Sequence, residues 1–187
     1  GPLGPGGLAQ ETAMIQIYLV RHGQTQWNKE EIFRGTTDVP LNESGIREAH
    51  QAAEALRDKP LKAVYSSPLA RAKVTAEVIA RAHGLEVRIT EGLKDLCFGE
   101  WQGVSHQAVR EQYPDLYQQW LEEPHMVTFP DGESLGDLQS RAVEAVKAIV
   151  LNHSEETIAM VSHRVVNRAL ICGLVGIELS RFWQIGQ

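Results

Sequence analysis

The sequence predicts an α/β fold, a three-layer α/β/α sandwich built around a mostly parallel central sheet. Short apolar runs that are typical of buried strands alternate with longer segments whose apolar residues recur at helical spacing. Strands that are joined by helices run parallel, and helices then cover both faces of the sheet. In sheets of this kind ligands bind beyond the carboxyl ends of the strands.

The individual elements follow from their patterns and their flanking residues. The first predicted strand, residues 15–20, is an apolar run that stops at Arg21. A helix is predicted over residues 68–84. Pro68 lies near its start and Gly84 at its end, which are the positions where helices favour proline and glycine. Two short helices are predicted within residues 105–123, on either side of a break at Pro114. The other predicted strands lie at residues 61–67, 85–90 and 157–162, and the other helices at residues 42–58, 133–153 and 164–176.

Composition limits the classes of function. The 187 residues are enough for one α/β domain, and the net charge of −6 argues against nucleic acid or an anionic membrane as a partner. No apolar run approaches the roughly 20 residues that span a bilayer. The two cysteines, Cys97 and Cys172, form no metal-binding spacing. We therefore expect a cytoplasmic protein with no metal ion and no cofactor.

The domain boundaries are also read from composition. Residues 1–13 are rich in glycine and proline, and we expect them to be a tag or linker ahead of a native start near Met14. The domain is expected to occupy residues 14–187. Within it, residues 92–130 are less regular and denser in aromatic residues, and we expect them to form a cap-like insertion over the site.

Three predicted strands end in residues that suit one anionic ligand. The first ends in Arg21 and His22, the second leads through a Ser-Ser-Pro turn to Arg71, and the last ends in His163 and Arg164. Parallel strands deliver these side chains to the same edge of the sheet. Arginine pairs bidentately with phosphate oxygens, and a neighbouring cation keeps an imidazole neutral and nucleophilic near pH 7. The pattern therefore indicates a phosphate site with a histidine nucleophile.

A leaving alcohol needs a proton, so a carboxylic acid should stand near the phosphate. The segment after the third strand offers Glu91, Asp95 and Glu100. Asp95 is the first choice, because it directly precedes an apolar turn where burial and a bound phosphate would favour its protonated form. The alternative is that Asp95 is a loop carboxylate that caps a turn.

These residues lie in motifs that resemble the histidine phosphatase superfamily, also called phosphoglycerate-mutase-like. The motifs are "LVRHGQTQWN", "FRGTTDVPLNESG", "VYSSPLARAKVTAE", "FGEWQG", "DGESL" and "VSHR", in the family's order and near its spacing. The resemblance runs from Met14 to the end of the chain. The length and the "DGESL" segment favour the small phosphatase branch, which includes α-ribazole phosphatases and broad-specificity phosphatases.

The resemblance implies a role for each matching residue. His22 matches the phosphorylated nucleophile, and Arg21, Arg71 and His163 match the phosphate pocket. Asp95 stands where many members carry a glutamate general acid, so its reach is shorter by one methylene group.

Three further positions complete the resemblance. Asn28 matches a substrate-contacting position, and Arg34 is expected to contact a larger substrate. Arg164 replaces a glycine that is common after the second histidine. Family members usually continue into one more strand, which this chain is expected to lack.

The function that these features predict is a metal-independent phosphomonoester hydrolase that acts through a phosphohistidine on a small phosphorylated metabolite. One alternative is a cofactor-dependent phosphoglycerate mutase, and another is a non-catalytic module that binds phospholigands. The expected partner is a small phosphate ester, with no nucleic acid and no membrane. The chain is expected to be a monomer or a homodimer.

Overall fold

The central sheet contains four parallel strands in the order β1-β4-β2-β3. The computed structural model describes residues 14–184, so the expectation for residues 1–13 lies outside the described part. The strands are β1 (Gln16–Arg21), β2 (Leu61–Ser66), β3 (Val87–Ile89) and β4 (Thr157–Ser162). All four were predicted, and the predicted fold class is confirmed by the parallel sheet and its helices.

The helices begin and end where their capping residues allow. The Asn42 side chain accepts a hydrogen bond from the backbone of Gly45, and Ser134 forms a capping box with Asp137. The predicted break at Pro114 is confirmed, since one helix ends at Gln112 and the next begins at the proline. The helices are α1 (Gln26–Lys29), α2 (Glu43–Ala55), α3 (Ala70–Ala82), α4 (His106–Gln112), α5 (Pro114–Glu122), α6 (Leu135–Val150) and α7 (Arg164–Val175).

Helices cover the sheet on both faces, and strand β4 shows how. Its residues alternate between two apolar clusters: Ile158 and Met160 pack with α6 and α7, whereas Ala159 and Val161 pack with α2 and α3. All four of these residues are fully buried. A strand that is buried on both faces must be apolar at every position, which explains the continuous run in the sequence.

Strand register determines which side chains meet at the carboxyl edge of the sheet. Arg21 at the end of β1 is opposite Ser162 of β4, and Ser66 at the end of β2 is opposite Val161. The backbone N–H of His22 then donates to Ser162 O at 3.1 Å, and that of Ser67 donates to Val161 O at 3.0 Å. Because β4 lies between β1 and β2, the residue that follows β4 is placed between the residues that follow its neighbours.

Residues 92–130 are packed into the core through a close contact between two loops. The backbone N–H of Glu100 donates to Pro130 O at 2.9 Å, and that of Glu133 donates to Cys97 O at 3.0 Å. Gly99 has φ of 55°, and a Cβ atom there would lie 1.9 Å from Pro130 O. The glycine of "FGEW" is therefore required by the backbone of the "DGES" loop. The role of this segment as a cap stays a prediction.

Replacing Gly99 with alanine is expected to destabilise the fold more than the matched change Gly84→Ala. Both glycines have positive φ, but a Cβ atom at Gly84 meets nothing within 4 Å. Gly84→Ala should lower the free energy of unfolding by about 1–2 kcal/mol, because alanine is disfavoured in a left-handed backbone conformation. Gly99→Ala should cost about 1–3 kcal/mol more because of the clash.

Urea titration of the two variants measures this difference directly. Equal midpoints for the two alanine variants would contradict the tight packing of the two loops.

Candidate active site

His22 follows β1 with its ring held by its own loop. Its Nδ1 lies 2.7 Å from the carbonyl oxygen of Gly23, so this nitrogen donates and Nε2 keeps its lone pair. Burial lowers the pKa of His22 well below its usual value, and the nearby His163 and Arg71 lower it further. The ring is therefore neutral near pH 7, with Nε2 as a potential nucleophile.

The glycine after His22 is explained by a close backbone contact. A Cβ atom at Gly23 would lie 2.5 Å from Gly45 O, and one at Gly45 would lie 2.1 Å from Gln24 O. The loop that carries His22 is thus pressed against the first turn of α2. This contact fixes the loop, and it accounts for the glycines of both "RHG" and "NESG".

His163 follows β4 and lies beside His22. The two ring centroids are 5.0 Å apart with an interplanar angle of 63°. Its Nε2 is 2.7 Å from the hydroxyl oxygen of Ser67, and its Nδ1 is 3.5 Å from Oδ2 of Asp95. Burial lowers the pKa of His163 well below its usual value, with Arg71 and Arg34 as further causes.

Arg71 lies in the first turn of α3 and is fully buried. Its guanidinium donates to Thr37 O at 2.7 Å, to Gly35 O at 2.5 Å and to Oδ2 of Asp95 at 3.0 Å. Its Nε is also buried and has no hydrogen-bond partner among the described residues. A buried guanidinium is stabilised by acceptors for its N–H groups, and this Nε–H is a donor that the described residues leave unmatched.

Asp95 is buried, and both of its oxygens are engaged. Oδ1 accepts from the backbone N–H of Leu96 at 2.8 Å, while Oδ2 pairs with Arg71. The other two candidate acids lie elsewhere: Glu91 is exposed, and Glu100 is exposed and accepts from the Tyr113 hydroxyl at 2.8 Å. The carboxyl that the structure brings to His163 and Arg71 is therefore that of Asp95. Its contact with Leu96 shows that it also holds its own turn.

Two adjoining cavities open at this edge. The first, which we call the histidine pocket, has a volume of about 260 Å³ and is lined by residues that include Arg21, His22, Gln24 and Glu48. The second, which we call the aromatic cavity, has a volume of about 320 Å³ and includes Asp95 in its lining. Three of the residues predicted to bind substrate line both cavities: Asn28, Arg34 and Arg164.

The predicted site residues are thus close together, although in different settings. Arg21 and Arg164 are exposed at the mouth, whereas Arg34 is half-buried, and its Nε is buried with no hydrogen-bond partner among residues 14–184. Asn28 is exposed, and its Oδ1 accepts from the backbone and the hydroxyl of Thr25. The side-chain amide nitrogen of Asn28 is the end that remains for a ligand.

Arg141 supports the site and was missed by the sequence analysis. Its guanidinium donates to the carbonyl oxygens of Gly92, Lys94 and Asp95 at 2.7–2.9 Å, and to the carboxylate of Glu133. Arg141 lies on the amphipathic helix α6, where the sequence pattern predicts that a charged residue faces solvent. The pairing of this arginine with a loop some 46 residues earlier left no local signal.

The sequence comparisons identify the family of the chain. A family model described as the histidine phosphatase superfamily (branch 1) matches residues 17–187. The chain belongs to the histidine phosphatase superfamily. Phosphoserine phosphatase 1 of Hydrogenobacter thermophilus is 38% identical over 173 residues, which cover 92% of this chain and 82% of that protein.

Solved structures of this superfamily have the same fold. YhfR of Bacillus stearothermophilus has a TM-score of 0.89 at 33% identity, with 92% of this chain and 86% of that chain covered. The alpha-ribazole phosphatase of Shigella flexneri has a TM-score of 0.81 at 27% identity, with 90% and 84% covered. The predicted resemblance is therefore confirmed, and this member of the superfamily is a phosphatase.

No helix within residues 14–184 is long and apolar enough to cross a membrane. In the same part of the chain, no group of three or more histidine, cysteine, aspartate and glutamate side chains is arranged to hold a metal ion.

The neutral histidines predict a loss of stability in acid. Both pKa values are lowered in the folded chain, so the unfolded chain binds more protons as the pH falls below about 6.5. The free energy of unfolding should then fall by up to about 1.4 kcal/mol per pH unit for each histidine.

Thermal unfolding between pH 7.5 and pH 5 measures this loss. The melting temperature should fall less steeply in His22→Gln than in the unchanged chain, while the control His50→Gln, at an exposed residue, should follow the unchanged chain. Parallel curves for all three proteins would contradict the assignment of lowered pKa values to the site.

Proposed function

We propose that the chain hydrolyses small phosphate monoesters without a metal ion, through a phosphohistidine formed on His22. The observation that carries the proposal is the state of that side chain. Its Nδ1 is tied to Gly23 O, its ring is neutral, and it lines a pocket that arginines border. A neutral imidazole nitrogen facing a cationic pocket is suited to attack on a bound phosphoryl group.

The arginines and His163 would hold the phosphoryl group. Arg21 and Arg34 border the histidine pocket, and the buried Nε–H of Arg71 has no hydrogen-bond partner among the described residues. Together they would neutralise a phosphate dianion and stabilise the charge on its equatorial oxygens. His163, neutral and buried, would donate or accept a hydrogen bond there according to its tautomer.

Asp95 would supply the proton that the leaving alcohol needs. Its carboxylate pairs with Arg71. A phosphate dianion would compete for the same guanidinium, and its charge would favour the protonated carboxyl. His22 Nε2 then forms a bond to phosphorus as the P–O bond to the leaving group breaks, and Asp95 gives its proton to the leaving oxygen, which departs as the alcohol. In the second step Asp95 takes a proton from water, which attacks phosphorus and releases phosphate and His22.

The names of the relatives support a general class of substrate for this chain. A phosphoserine phosphatase and an alpha-ribazole phosphatase are named among them, and both names denote hydrolysis of small phosphate esters. We propose the same coarse class for this chain, with the cytoplasm as its compartment and no nucleic acid or membrane as partner. Asn28, Arg34 and Arg164 would contact the ester, because they line both cavities.

The nucleophile is tested with p-nitrophenyl phosphate in the presence of EDTA. Turnover should persist in EDTA and fall by about a thousandfold or more in His22→Ala. His50→Ala changes an exposed histidine on α2 and should retain the activity of the unchanged chain. Loss of turnover in EDTA, or full turnover in His22→Ala, would contradict the proposal.

The general acid is tested by a comparison of leaving groups in Asp95→Asn. The p-nitrophenolate anion needs little protonation, so hydrolysis of its ester should fall by less than about tenfold. An alkyl phosphate releases a basic alkoxide, and its kcat/KM should fall by about a hundredfold or more.

The matched control for Asp95→Asn is Glu100→Gln, which should leave both rates unchanged. An equal loss on both esters in Asp95→Asn would show that the carboxylate acts only by holding Arg71. A selective loss on the alkyl ester in Glu100→Gln would assign the acid to Glu100 instead.

A further inference from the structure

The two cavities suit the two parts of a phosphate ester, one on each side of the bond that is cleaved. His22 lines the histidine pocket, whereas Asp95 lines the aromatic cavity. The leaving oxygen must lie between the nucleophile, which attacks phosphorus, and the acid, which protonates that oxygen. With these roles for His22 and Asp95, the phosphoryl group would occupy the histidine pocket, and the carbon skeleton of the alcohol would extend into the aromatic cavity.

The lining of the aromatic cavity indicates what kind of alcohol it accepts. Six of its fifteen lining residues carry aromatic or imidazole rings, and five others are charged. Its volume of about 320 Å³ lies at the lower end of the roughly 300–1,000 Å³ of small-molecule sites. The rings belong to Trp27, Phe33, Phe98, His106, Trp120 and Trp183.

Several of these rings are fixed before any ligand binds. The indole N–H of Trp183 donates to Trp120 O at 2.9 Å, and the guanidinium of Arg168 lies 5.2 Å from the Trp183 ring. His106 stacks on Phe33 with centroids 3.9 Å apart and an interplanar angle of 6°. Burial lowers the pKa of His106, so its ring is neutral near pH 7. Rigid rings lose little conformational freedom when a ligand packs against them.

We propose that the aromatic cavity binds the alcohol portion of the substrate and that this portion carries an apolar ring. The proposal rests on the proposed function, because it places the phosphoryl group beside His22. The proposed function names only small phosphate esters. The present proposal adds that the rings of the aromatic cavity, and Trp183 in particular, determine which alcohol is preferred. Trp183 is 38% exposed, so part of its ring is open to a ligand.

Two alkyl esters with similar leaving groups test the proposal. Phenethyl phosphate and ethyl phosphate both release a basic alkoxide, so they differ mainly in the ring. The kcat/KM ratio of phenethyl to ethyl ester should be about tenfold to a hundredfold, as expected when a ring of phenylalanine size is buried. A ratio near one would overturn the proposal.

Variants of Trp183 test whether this residue causes the preference for the phenethyl ester. Trp183→Ala should lower the phenethyl-to-ethyl ratio by about fivefold or more, and Trp183→Leu, which keeps an apolar side chain, should lower it less. Leu121→Ala removes a half-exposed apolar side chain of the same region that does not line the cavity, and it should keep the ratio. An unchanged ratio in both Trp183 variants, with circular dichroism showing that they are folded, would overturn the proposal.

Binding of non-hydrolysable phosphonates separates this proposal from the proposed function. Calorimetry on the unchanged chain should show that phenethylphosphonate binds at least about tenfold more tightly than ethylphosphonate. Such a preference without turnover of either ester would support the ring site while contradicting the hydrolase. Equal affinities would contradict the ring site even if both esters are hydrolysed.

Discussion

The site depends on the buried guanidinium of Arg71. This side chain ties three separate segments together, because it donates to the loop at Gly35 and Thr37, belongs to α3 and pairs with Asp95. A charge that is buried so completely needs acceptors, and those three contacts match the Nη donors of Arg71. Burial is the main cause that lowers the pKa values of His22 and His163, and the charge of Arg71 lowers both further, so this arginine contributes to the shape and to the protonation state of the site.

The ion pair between Arg71 and Asp95 also balances the buried positive charge of the site. Asp95 provides the negative charge that Arg71 requires, and Arg141 holds the Asp95 loop by its backbone carbonyl groups. An entering phosphate would supply that charge instead. The carboxyl would then be released to act on the leaving group, while its loop stays in place. Binding and acid catalysis are coupled in this account through the same guanidinium.

Much of the fold and the centre of the site follow from the sequence, because they depend on local patterns. Apolar runs identify the strands, and the parallel order brings the residues after β1, β2 and β4 to one edge, which places His22, Arg71 and His163 together. Arg141 could not be foreseen, since its partners lie far away in sequence. The meeting of Trp27 with Trp183 around one cavity is equally non-local, because it depends on how distant segments pack and on where their side chains point.

The central claim is that phosphate passes through a covalent bond to His22, and rapid mixing tests it most directly. The chain is mixed with excess p-nitrophenyl phosphate, quenched in base and digested, and the peptides are examined by mass spectrometry. This account predicts an acid-labile, base-stable phosphoryl group on the peptide that contains His22. Turnover of the ester with no modified peptide, or modification of His163 instead, would contradict it.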